Sequence, residues 1–250
     1  MGDLLEVTNL SLNFGGITAL QDVSVSVAEG ETLAVIGPNG SGKTSLFNCV
    51  TGIYRPTAGG VAFRSESVLG RTPDAITRLG IARTFQNLRL FHNMSVLDNL
   101  MVGRHLHFQK NLLAAVLRAR GEEIRHRRRC EEIIEFLNLE PVRKSRVADC
   151  PYGVQKRVEL GRALATEPRL LLLDEPVSGL TQEEKEEFAY WIHEICGRFG
   201  ITVLLVEHDL RLASRLASRM VALDHGVRIA EGTPAEVQRH PEVIKAYLGE

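Results

Sequence analysis

The sequence predicts an α/β protein in which a mostly parallel sheet is covered by helices and interrupted by a helical lobe. An unbroken apolar run, Leu33, Ala34, Val35 and Ile36, leads into a glycine-rich loop at 37–44 and then a helical pattern over 45–50. Two more apolar runs, at 170–173 and 201–206, each end on an acidic residue and precede another helical pattern. Strand signals disappear between about 86 and 165, where helical patterns follow one another. Strands covered on both faces read as continuous hydrophobic runs, and their alternation with helices marks a helix-covered parallel sheet.

Taken in order, Val23, Val25 and Val27 alternate with Ser24 and Ser26, the period of two expected of a half-exposed strand. Glu29-Gly30-Glu31 turns the chain into the strand at 33–36. Within the lobe, 95–104, 112–120, 122–137 and 154–165 read as helices, with Pro141 and Asp149-Cys150-Pro151 as breaks. The strand at 170–173 stops at Asp174-Glu175 and is followed by a helix over 183–196. The strand at 201–206 stops at Glu207-His208, ahead of a helix over 210–216. Segments 221–223 and 227–230, around Asp224-His225-Gly226, predict a closing hairpin. One domain over 1–250 is expected, with an α/β core at 1–86 and 166–250 and a helical subdomain at about 87–165.

The 250 residues are 44% hydrophobic and carry a formal net charge of -1, enough for a sizeable core and with no basic excess that points to nucleic acid. No segment reaches the roughly 18–20 apolar residues that span a bilayer. The N-terminus has neither the basic start nor the apolar stretch of a secretory signal. Glu6 stands where myristoylation requires Ser or Thr. Membrane association is therefore expected only through a partner. Cys49, Cys130, Cys150 and Cys196 are scattered, which fits a reducing compartment and a role as core fillers. The basic stretch Arg125-His126-Arg127-Arg128-Arg129 is flanked by Glu122, Glu123, Glu131, Glu132 and Glu135, which predicts a solvated, ion-paired helix face.

The chemistry concentrates in a few residues. Gly37, Pro38, Asn39, Gly40, Ser41, Gly42, Lys43 and Thr44 satisfy G-x-x-x-x-G-K-[ST], with Ser45 opening the helix behind them. Glycines at those positions let backbone amides converge on phosphates, and the helix start adds the positive end of its dipole. Lys43 reaches the terminal phosphates, and the Thr44 hydroxyl offers magnesium a ligand. ATP with Mg2+ is the expected occupant. Asp174, delivered at the end of a buried strand, is placed to hold magnesium, and Glu175 to polarise the attacking water. Gln86, in Thr84-Phe85-Gln86-Asn87, is a candidate metal ligand and phosphate sensor. His208 is a candidate donor to the γ-phosphate.

In their order and spacing, the loop, Gln86, Tyr152-Gly153, Asp174-Glu175 and His208 resemble the ABC ATPases, and the resemblance covers the whole chain. It implies the phosphate-loop (P-loop NTPase) ABC ATPase core, with antiparallel strands at the N-terminus. It implies Phe14 stacked on adenine, and a head-to-tail dimer with a second ABC ATPase subunit. The signature segment at 150–158, through Tyr152 and Gly153, then closes on the partner's ATP. Phe14-Gly15-Gly16, Arg83-Thr84-Phe85-Gln86-Asn87, the stretch 95–100 and the ending from 231 to 249 are similar to the ATP-binding subunits of branched-chain amino-acid importers. That implies two integral membrane permease subunits, a periplasmic or extracellular substrate-binding protein, and a peripheral place on the cytoplasmic face of the inner membrane. Urea or amide importers, lipopolysaccharide-type exporters and non-transport ABC ATPases remain as alternatives. Three residues depart from the family pattern: Pro151 for serine, Val154 for glutamine and Thr181 for Asp or Asn. They lead us to expect two unequal ATP sites.

Overall fold

The computed structural model describes residues 3–108 and 112–248, without the side chains of 112–120. From the N-terminus the chain forms β1 (Asp3–Phe14), β2 (Ile17–Ala28), β3 (Thr32–Ile36), α1 (Lys43–Val50), β4 (Ala58–Phe63), β5 (Glu66–Ser67), α2 (Pro73–Leu79) and β6 (Ile81–Arg83). The lobe follows as α3 (Val96–Gly103), α4 (Leu112–Phe136) and α5 (Tyr152–Leu164). The chain then runs through β7 (Leu170–Asp174), α6 (Gln182–Phe199), β8 (Thr202–Glu207), α7 (Leu210–Leu216), β9 (Arg219–Asp224), β10 (Val227–Gly232), α8 (Pro234–Arg239) and α9 (Pro241–Leu248).

Two sheets result, a four-stranded one in the order β2-β1-β4-β5 and a six-stranded one in the order β10-β9-β3-β8-β7-β6. The first is antiparallel; in the second, β9, β3, β8, β7 and β6 run parallel and β10 closes the edge as a hairpin with β9. Each central strand divides its side chains between two cores, as the period of two requires. Leu33 and Val35 of β3, Leu170 and Leu172 of β7, and Leu204 and Val206 of β8 face the antiparallel sheet and α1. Ala34, Ile36, Leu171, Leu173, Val203 and Leu205 face the other way, into a core shared with the lobe and with α6 and α7. The continuous apolar runs are the sequence record of that double burial.

Local chemistry sets the helix starts. Ser95 caps α3 through the Asp98 amide, Asp209 caps α7, and Thr181 and Thr233 each form a reciprocal capping box with the glutamate three residues on. In the lobe, α3 and α5 approach closely: a Cβ on Gly103 would lie 2.4 Å from the Arg162 carbonyl oxygen.

Two expectations need correction. The helices expected at 112–120 and 122–137 are the single helix α4, because an interior glycine, here Gly121, weakens a helix without ending it. The basic stretch is not wholly a solvated face. Arg129 pairs with Glu132 at 2.7 Å and Arg143 with Glu131 at 3.9 Å, but His126 is buried and accepts from Arg104 Nε at 3.2 Å.

Candidate active site

Register places the site. Ile36, the last residue of β3, lies opposite both Glu207 of β8 and Ala222 of β9, and Asp174 of β7 lies opposite Val206. The segments that leave the carboxyl ends of β3, β6, β7 and β8 therefore converge on one rim, where open α/β sheets bind their ligands.

The glycine-rich loop joins β3 to α1 there. Gly37 has φ +149° and Gly42 φ +103°. A Cβ on Gly37 would fall 2.1 Å from the Leu223 carbonyl oxygen, and one on Gly42 2.8 Å from that of Ala19. Only glycine fits at either place. Asn39, Gly40 and Thr44 are exposed, while Pro38 and Ser45 are half-buried. The start of α1 has no acidic side chain and no side-chain cap, so its amides stay open to an anion. Lys43 is buried and folds back, donating to the carbonyl oxygens of Gly37 at 2.7 Å and Pro38 at 2.9 Å. Burial holds its ammonium below the ordinary lysine value, and the negative Glu175, Asp174 and Glu207 pull it back up.

Asp174 is buried and accepts from Arg83 Nη2 at 2.7 Å. Arg83 also donates to Asn48 at 2.7 Å and Thr51 at 3.2 Å, and its guanidinium lies over the rings of Phe47 and Phe85. Glu175 has φ +46°, a left-handed conformation that a glutamate holds only where its surroundings impose it. Its amide donates to Val206 at 3.0 Å. One carboxylate oxygen receives Gln86 Nε2 at 2.9 Å and stands 3.7 Å from His208 Nδ1. Lys43, Asp174, Glu175, Gln86 and His208 thus share one rim.

Phe14 and the signature residues lie apart from that group. The Phe14 ring is 45% exposed at the end of β1 and packs edge-on against Tyr54 at 5.1 Å, leaving a face open. Tyr152 and Gly153 open α5 and lean on their own chain: the Tyr152 hydroxyl donates to the Ser178 carbonyl at 3.4 Å, and Gly153 abuts Glu184. Pro151 sits at the N-cap of α5 and supplies no side-chain cap. Thr181, unusual by family pattern, accepts from the Glu184 amide and caps α6.

Sequence reasoning missed several residues here. Arg83 carries no local signal beyond its place directly before Thr84-Phe85-Gln86-Asn87. Glu207 is buried with one carboxylate oxygen unpartnered, and burial together with the charge of Glu175 pushes it up to about 7. From the lobe, Glu159 accepts from the Phe85 and Arg89 amides at 3.4 and 3.3 Å, and Lys156 donates to the Gln86 carbonyl at 3.3 Å. Helix α5 therefore grips the Gln86 segment on both sides. No local pattern announces such contacts, which join residues about seventy positions apart.

A rim that gathers a phosphate loop, a strand-end Asp-Glu pair and a reachable glutamine and histidine defines a nucleoside triphosphatase of the phosphate-loop class. Residues 20–178 match the ABC transporter family, and residues 227–250 match the family described as branched-chain amino acid ATP-binding cassette transporter. The high-affinity branched-chain amino acid transport ATP-binding protein BraF of Pseudomonas aeruginosa is 38% identical over 99% of this chain and 98% of its own. The LivG protein of Salmonella typhimurium, of the same description, is also 38% identical, with the same coverage. Among solved structures, a nucleotide-free ATP-binding cassette from an ABC transporter superposes with a TM-score of 0.87 at 31% identity, covering 100% of both chains. The chain belongs to the ABC transporter family as one of its ATP-binding cassettes, and it is an ATPase.

Proposed function

We propose that the chain powers a membrane importer for branched-chain or other hydrophobic amino acids, as one of two ATPase subunits. The observation that carries the reading is the rim itself, on a chain similar end to end to transport ATPases of that description. ATP is the substrate, cradled by the loop 37–44 with Ser45 behind it, its base on Phe14. Lys43 leaves the Gly37 and Pro38 carbonyls for the phosphates and stabilises the charge that develops there. Glu175 orients water for in-line attack, held by Gln86 and His208, and His208 also donates to the γ-phosphate.

Magnesium fits the donor set: the Thr44 hydroxyl, the Gln86 amide and the Asp174 carboxylate all present oxygen, the ligand a hard dication takes. Among the described residues, no group of three His, Cys, Asp or Glu could cage a metal alone. When bound, magnesium supplies neutralisation of phosphate charge. Arg83 fixes the orientation of Asp174 beside it.

We read 1–86 with 166–250 as the core and about 87–165 as the signature lobe of one cassette. On this reading Tyr152 and Gly153 close on the ATP of a second ATPase subunit. The membrane permeases are expected at the groove of about 240 Å³ lined by Ile53, Ile76, Phe85 and Val102, which abuts the Gln86 segment. Among the described residues no helix is long and apolar enough to cross a membrane. On this reading, attachment to the cytoplasmic face runs through those permeases. A substrate-binding protein delivers cargo on the far side. Reconstituting the chain with the permeases and binding protein of its gene neighbourhood should give ATP-driven leucine uptake. Absence of uptake, with ATPase activity indifferent to loaded binding protein, would sink the assignment.

Pro151 supports unequal sites, since proline offers a partner's phosphate neither hydroxyl nor amide. A complex that hydrolyses both occluded ATP molecules at one rate would contradict this.

A further inference from the structure

We propose that Tyr247, on the last helix, is a positioning residue for the phosphate loop: its hydroxyl holds the Gly37 amide and so sets the shape in which the loop receives nucleotide. The Gly37 N–H donates to the Tyr247 hydroxyl at 2.8 Å, a bond between residues 210 positions apart. Gly37 is buried, and its α-carbon is hemmed in: a Cβ there would lie 2.1 Å from the Leu223 carbonyl oxygen and 2.6 Å from Ser41 Oγ. A buried amide needs an acceptor, and the tyrosine is the one it has. The carbonyl of Gly37 meanwhile accepts from Lys43 Nζ at 2.7 Å. One residue thus ties α9 to the lysine that faces the phosphates.

Among the described residues, no other hydrogen bond or ion pair joins the loop to that helix. Its outer edge and α9 are separated by a cavity of about 670 Å³, lined by Pro38, Asn39, Ser41, Asp224 and Lys245 among others. The hydroxyl is a strut beside an open space. Burial, with the negative Glu207 adding to it, pushes the Tyr247 phenol up to about 12, which keeps it a neutral hydroxyl. The strut belongs to the stretch 227–250, the one that matches the branched-chain cassette family.

The inference rests on reading 37–44 as the phosphate cradle. Tyr247→Phe keeps the ring and removes one oxygen. Calorimetric Kd values of the purified chain for ADP and for ATP with magnesium should both rise roughly five- to tenfold, the scale of one lost acceptor for a buried donor. Turnover at saturating ATP should change by less than that. Tyr190→Phe, at a tyrosine 61% exposed, should leave both Kd values unaltered. A Tyr247→Phe protein that melts earlier but binds both nucleotides within about twofold of the parent makes the residue merely structural and overturns the proposal. Hydrogen exchange on the unaltered protein gives a second reading that needs no variant. The Gly37 amide should be protected far beyond the exposed Gly40 amide, and equal exchange would show that the strut does not exist. Failure of the cradle reading looks different: the unaltered chain would then bind neither nucleotide.

Discussion

At the rim of the sheet the buried Lys43, Asp174 and Glu207 and the half-buried Glu175 are mostly answered by atoms of the same chain. The segment 151–153 and the turn at 178–181 present the opposite picture. There an uncapped helix start and a tyrosine ring 43% exposed rest on the chain by one long hydrogen bond and a close glycine contact. The first region is part of the core, so its residues are fixed by folding as much as by catalysis. The second is exposed at Pro151 and Tyr152, though Gly153 is buried and Thr181 holds its capping box, and in the proposed dimer it is the face another subunit would cover. Substitutions in the two regions should therefore fail in different ways.

The largest effect is expected at Arg83. Arg83→Ala leaves Asp174 buried without its partner, and breaking one side of a buried pair costs about 3–5 kcal/mol. Urea unfolding of the isolated chain measures it, and a loss under about 1 kcal/mol would place Asp174 in a far wetter setting than the rim provides. Glu175→Gln should come next. It should lower kcat by about 100- to 1000-fold while ATP binding persists, because the amide keeps the shape of the carboxylate and loses its charge. Turnover equal to the parent's in a phosphate-release assay would remove Glu175 from the mechanism.

Glu207 separates the regions by pH. Its carboxyl is raised from 4.5 to about 7 in the folded chain, so between those values the folded state holds a proton that the unfolded state has released. Stability is therefore fully present below about pH 4.5 and falls as pH rises through 7, by up to about 3 kcal/mol. Glu207→Gln should flatten that part of a stability-versus-pH curve, and an unchanged slope would show that the carboxyl is not the source.

The smallest effect belongs to the surface region. Pro151→Ser supplies the missing cap of α5 and should add about 1 kcal/mol to thermal stability. In the assembled complex it should also quicken hydrolysis at the partner's ATP. A gain in stability with no change in the complex would sharpen the comparison differently, by confining Pro151 to a local structural role.

The parts of this arrangement that were legible in the sequence are contiguous. The phosphate loop, the strand-end Asp174-Glu175 and His208 follow apolar runs, because a strand buried on both faces cannot avoid writing itself into the sequence. The inner strands of the antiparallel sheet were harder to read. In β1 the pairing with β2 shifts register between Val7 and Leu10 and again between Leu10 and Leu12, which breaks the alternation that signals a strand. Strand β4, Ala-Gly-Gly-Val-Ala-Phe, is short and rich in glycine. Arg83, Glu159, Lys156 and Tyr247 owe their roles to partners far along the chain, and only the tertiary packing brings those partners together. Thr181 is the converse case: it departs from the family pattern, yet its capping box with Glu184 is written in adjacent letters.

The bonds Lys43 makes to Gly37 and Pro38 have a consequence for turnover. With the ammonium already satisfied by the loop's own carbonyls, the phosphate contact proposed for Lys43 would be an exchange of acceptors and not a net gain of two. Affinity then reflects only the difference between the two sets of partners. The same carbonyls compete with the product for the lysine once the γ-phosphate has gone. A loop that offered its lysine no resting place would seize nucleotide more firmly and let go of it more slowly, a poor property in a motor that must empty itself on every stroke.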